Sequence, residues 1–82
     1  MITQKMLQQY KEYGGDLDAW SRKHRHEENR YDDWILIQSL VQNIWLIKNN
    51  KAGEELIRQT KYLIRENLED ASAIELLYKL TL

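Results

Sequence analysis

Hydrophobic residues along this chain recur mostly at three- and four-residue steps, the spacing of one face of an α-helix. Ile2, Met6, Leu7, Tyr10 and Tyr13 form the first such run. Thr3 is placed to cap it, and Gly14-Gly15 supply the positive-φ residues that close helices. Beyond the glycines Asp16 is a second cap, Asp18 suits the positive end of a helix dipole, and Leu17 and Trp20 fall three apart on one face. A helix continued to Tyr31 would align Leu17, Trp20, His24 and Tyr31. The charged run predicts instead that it frays between Lys23 and Glu28.

The strongest element opens with Asp32 and Asp33 and runs from Trp34 to about Lys48, ending at Asn49-Asn50, where asparagine tolerates a left-handed cap. Trp34, Leu36, Ile37, Leu40, Val41, Ile44, Trp45 and Ile47 cover about half of its circumference, wider than the ~100° stripe of a surface helix, which predicts a hub. Gly53 precedes Glu54 and Glu55, a charge arrangement suited to a helix start, and Leu56, Ile57, Leu63, Ile64 and Leu68 repeat at helical steps. Ser72-Ala73-Ile74-Glu75 has the form of a capping box, predicting a last apolar helix from Ala73 toward Leu82. The expectation is an all-α, compact bundle of four to five helices forming one domain over residues 1–82, with the Trp34–Lys48 helix central, flanked by the first helix and by the hairpin of the two that follow it.

Composition narrows the function classes more than it names one. Lys plus Arg is 12 and Asp plus Glu 13, a net charge of -1, so no global field draws this chain to nucleic acid or anionic lipid. With no cysteine there is no disulfide, no thiolate nucleophile and no cysteine-based metal site. Proline is also absent, leaving glycine and turn chemistry to break helices. The N-terminal residues lack the apolar core of a signal segment, and the charge-free stretch Trp34 to Ile47 is interrupted by Gln38, Ser39, Gln42 and Asn43. A cytoplasmic, unprocessed protein without membrane attachment is expected.

Catalytic patterns are missing. Gly14-Gly15-Asp16 lacks the Gly-Lys-Ser/Thr of a phosphate loop, and Asp16-Leu17-Asp18 lacks the further acidic positions of a calcium loop. His24-Arg25-His26-Glu27-Glu28 has metal-ligand character, but on a helix only His24 and Glu28 converge and no third ligand is identifiable. The plainer reading is a solvated segment with His24 leaning on Trp20. No enzyme, cofactor, metal or small-molecule substrate is expected.

Two binding surfaces remain. On the central helix, opposite its broad apolar face, Ile35 and Leu46 project into a strip otherwise made of Gln38, Ser39, Gln42 and Asn43, with Trp45 at its border. A solvent-facing helix in a protein this charged ordinarily carries Lys or Glu, so the strip is covered either by another helix of the chain or by a partner. Ile35, Gln38, Gln42, Trp45 and Leu46 are the candidate contacts for a protein partner or a homodimer. The second surface is the segment Trp20 to Tyr31, where Arg22, Lys23, Arg25 and Arg30 lie between two aromatics and could grip phosphates while Trp20 or Tyr31 stacks a base. Glu27 and Glu28 cancel half of those charges, which makes a nucleic-acid partner the weaker alternative. Thr60 and Asn67, polar within an apolar stripe, are expected to bond locally, and the face carrying Arg58, Tyr62, Arg65 and Glu69 reads as solvated.

Overall fold

The computed structural model describes residues 1–24 and 31–81. Five helices follow in order: α1 (Gln4–Glu12), α2 (Leu17–Lys23), α3 (Tyr31–Lys48), α4 (Glu54–Asn67) and α5 (Ala71–Lys79). The architecture is the all-α bundle that the periodicity predicts.

Most helix ends are set by the residues whose chemistry suits them. Thr3 accepts a hydrogen bond from the Met6 amide and Asp16 from the Ala19 amide, each satisfying one of the free N–H groups of a first turn. Gly14 and Gly15 take φ of 59° and 78° between α1 and α2, and Asn50 takes 56° after α3. The second helix stops at Lys23, inside the predicted fraying zone, with His24 as its C-cap. α3 includes Tyr31 and both aspartates of its first turn, so it begins three residues before the Trp34 predicted from periodicity.

The start of α5 corrects the capping-box reading. Asp70, not Ser72, is the cap: its Oδ1 accepts from the Ala73 amide at 2.8 Å, and the helix begins at Ala71. Ser72 thus lies within the first turn, and Glu75 reaches forward to Lys79 at 3.5 Å. A full carboxylate charge at the positive end of the dipole adds to the cap hydrogen bond, an advantage that serine lacks.

α3 packs against α1, α4 and α5, and α1 also packs against α5. Trp34, Ile37, Leu40 and Ile44 form its buried face. They join Ile2, Met6, Leu7, Trp20, Ile64, Leu68, Ala73 and Leu77 in one core, against which Leu36, Val41, Leu63 and Leu76 are half-buried. Each large aliphatic or aromatic side chain so enclosed contributes about 1.5–3 kcal/mol from desolvation, which makes α3 the energetic centre.

One end of the core is aromatic. The Trp20 and Trp34 ring centroids lie 4.9 Å apart, Tyr10 tilts against Trp34 at 5.0 Å, and Tyr31 meets Trp20 edge-on at 5.8 Å. Trp20 Nε1 donates to Gln9 Oε1 at 3.2 Å. Trp34 Nε1 is the buried side-chain nitrogen with no acceptor among the described residues, enclosed beside rings whose π faces are weak acceptors at most.

The N-terminus is tied in by a short parallel bridge that no periodicity foretold. Ile2 donates to Asn67 O at 2.6 Å, and its carbonyl accepts from the Glu69 amide at 3.1 Å. The Gln4 amide then donates to Glu69 Oε1 at 3.1 Å. Ile2 is fully buried as a result. Among the described residues no helix is long and apolar enough to cross a membrane.

Candidate functional site

The helical repeat that turns Ile37, Leu40 and Ile44 inward places Ile35, Ser39, Gln42 and Leu46 on a line running along the opposite side of α3. Ile35, Ser39 and Gln42 are exposed and Leu46 is half-buried, with no described helix laid over them. Among the described residues, covering by another helix of the chain, one of the two expectations for this strip, is therefore not what the fold provides. Ile35 is 49% exposed, a large apolar side chain in water at the N-terminal end of an otherwise uncharged line.

The remaining two candidates flank the line on one edge. Gln38 is half-buried, and its Nε2 donates to the Gly15 carbonyl at 3.0 Å, so this side chain is engaged in holding the α1–α2 turn against α3. Trp45, counted in the broad apolar face by periodicity, is 46% exposed instead. Lys51 Nζ stands 5.1 Å from its ring centroid, and Asn49 Nδ2 donates to its backbone carbonyl at 2.7 Å. The cation rests on one part of the indole while much of the ring stays in solvent. Of the five predicted contacts, Ile35, Gln42, Trp45 and Leu46 thus form one surface, and Gln38 is its structural margin.

The second predicted surface is not assembled in the way its sequence suggested. Trp20 is fully buried, enclosed by Trp34, Tyr31 and His24, so it has no free face to stack on a base. The reason is packing: an indole worth several kcal/mol in the core is retained there. Tyr31 is half-buried against the Trp20 ring. Arg22 and Lys23 are exposed at the end of α2, while Arg25 and Arg30 lie outside the described residues.

His24 stacks on Trp20 at 5.4 Å between centroids and 14° between planes, as its spacing predicted, and its Nε2 lies 3.4 Å from the Tyr13 hydroxyl. The other members of the metal-like cluster, His26, Glu27 and Glu28, lie outside the described residues. Thr60 Oγ1 donates to the Leu56 carbonyl and Asn67 Nδ2 to the Leu63 carbonyl, both local bonds as expected.

Concave surface was not anticipated by sequence and is found on the outer side of α4. Two shallow grooves of about 420 and 450 Å³ flank Tyr62, the first with Arg58, Lys61 and Arg65, the second with Gln59 and Leu63. They are dents beside one protruding ring on a single helix, with Arg58 held by Glu55, and no nucleophile with an adjacent base is brought together there. Spacing alone could have flagged the cations at positions 58, 61 and 65, but not the relief around Tyr62. Comparison of the chain with protein-family models, with curated proteins and with solved structures finds no match.

Proposed function

We propose that this protein is a small non-enzymatic interaction domain, an adaptor, inhibitor or immunity-type binder, or a self-associating module, that docks a protein surface on the outer strip of α3. The observation that carries this reading is the coexistence on one helix of a packed inner face and an outer line bearing Ile35, Gln42, Trp45 and Leu46 without a charge. Centres of protein interfaces are depleted in charge and favour tryptophan and large aliphatics ringed by uncharged polar groups, which is the composition of this strip.

The test is site-specific photo-crosslinking in living cells, with a photoreactive residue placed at position 35, 42 or 45 and, as a control, at Lys61 on the outer side of α4. Defined adducts from the three strip positions and none from position 61 are expected. Equal labelling at all four positions, or no adduct at the strip, contradicts the reading.

A further inference from the structure

We infer that the surface covered by this strip is that of a second copy of the same chain, with the two α3 helices antiparallel about a two-fold axis near Leu40 and Val41. The inference rests on the docking role proposed above and names its occupant.

Three features of α3 point to a copy of itself. First, the strip reads alike in both directions: Ile35 and Leu46 lie equally far from the midpoint between Ser39 and Gln42, so antiparallel pairing sets Ile35 on the copy's Leu46 and Ser39 beside the copy's Gln42. Apolar ends then meet apolar ends, and a hydroxyl meets an amide that can both donate and accept. Second, a two-fold contact brings each patch onto its own duplicate, where any net charge would repel itself, and the helix carries none from Trp34 to Ile47. Third, the charges that α3 does carry sit at its ends with opposite sign. Asp32 and Asp33 occupy its first turn, while Lys48 closes it and Lys51 follows. Asp33 pairs with the N-terminus and Lys48 bonds to the Tyr78 carbonyl and Thr81, which leaves exposed Asp32 and Lys51, the latter over the Trp45 ring, on the side of the strip. Antiparallel pairing lays each Asp32 toward the other's Lys51 and opposes the two helix dipoles, whereas parallel pairing would juxtapose like charges.

Size sets the strength. An 18-residue helix is about 27 Å long and about 10 Å wide, so the strip spans roughly 300 Å² in plan. That is well below the ~800 Å² per partner of a standard interface, so the pair is weak, half-dissociated in the micromolar range or above.

The absence of cysteine allows a direct test on this 82-residue chain. Ile35→Cys and Leu46→Cys variants are oxidised separately and as an equimolar mixture. A mixed disulfide dimer should dominate in the mixture, because each single variant alone would hold its two thiols about 16 Å apart, beyond the ~7 Å Cα separation that a disulfide spans. Sedimentation velocity between micromolar and millimolar concentration should show wild-type dimerisation, shifted about tenfold or more by Ile35→Lys, an exposed position that leaves the core intact. Disulfides formed within each single variant would overturn the antiparallel arrangement. Indiscriminate coupling in all samples, or a concentration-independent monomer, would overturn self-pairing; strip-specific photo-adducts to a different protein would then leave the docking role itself standing.

Discussion

Asp70 caps α5 by accepting a hydrogen bond from the Ala73 amide. Sequence pattern pointed instead to Ser72, because a Ser-x-x-Glu spacing is also what a helix interior offers when an acidic residue stands two positions earlier. Urea unfolding should separate the two: Asp70→Ala is expected to lower stability by about 1 kcal/mol, and Ser72→Ala to change it by less than ~0.5 kcal/mol. Equal losses would restore serine as the cap. Tyr10 has its pKa raised from 10.0 by burial, because its ring leans on Trp34 and its hydroxyl is partly withdrawn from water. A group raised in the folded state favours its neutral form there, so its contribution is present below pH 10 and is lost as pH climbs through the folded value. Thermal melts from pH 8 upward should fall above pH 10 in the wild type and fall less steeply in Tyr10→Phe. Parallel curves would show that the phenol does not titrate against the fold.

At the scale of elements, α3 divides into a face that holds the fold and a face that does not. Leu40 is enclosed and Ile35 is half in solvent although both are aliphatic residues of the same helix. Leu40→Ala is expected to cost about 2–5 kcal/mol in chemical unfolding, from lost transfer energy and the cavity left behind. Ile35→Lys should stay within ~0.5 kcal/mol of wild type when measured at concentrations where the protein is monomeric. A loss for Ile35→Lys as large as that for Leu40→Ala would make the strip part of the core.

Helix positions were legible because two signals agreed at most ends. At α1 and α2, for example, Thr3 and Asp16 stand just before apolar repeats and Gly14-Gly15 intervene. What periodicity could not resolve was Trp45. It lies at the edge of a broad apolar arc, and only the placement of the neighbouring helices decides which edge residue is enclosed. Trp20 failed the same way in reverse: a basic, polar neighbourhood suggested an available ring, yet tertiary packing with Trp34 removed it from solvent.

For the whole molecule, the bridge between Ile2 and Leu68 closes the bundle by joining the residue before the cap of α1 to the one after α4. A bridge of one residue on each side leaves no alternating pattern to read, so this long-range contact was invisible to sequence reasoning. No described side-chain hydrogen bond ties the outer strip of α3 to another element except through Gln38. A molecule so assembled spends its apolar residues on one core and keeps a few in water: Met1, Ile35, Trp45, Tyr62 and Tyr78 are its large exposed side chains. Ile35 and Trp45 are the two among these that share a helix, and the positions between them carry no charge, which is why the docking surface is assigned to α3.

The most direct test of that assignment is hydroxyl-radical footprinting of the chain in intact cells and in dilute purified form, read residue by residue by mass spectrometry. Trp20 and Trp34, both enclosed, should be protected in each condition, and Tyr62, exposed on α4, should react in each. Trp45 decides the question: strong oxidation in the dilute protein with marked protection in cells is the result predicted for a covered α3 strip. Equal oxidation of Trp45 in both conditions would contradict it, because the proposed docking surface would then stand open where the protein works.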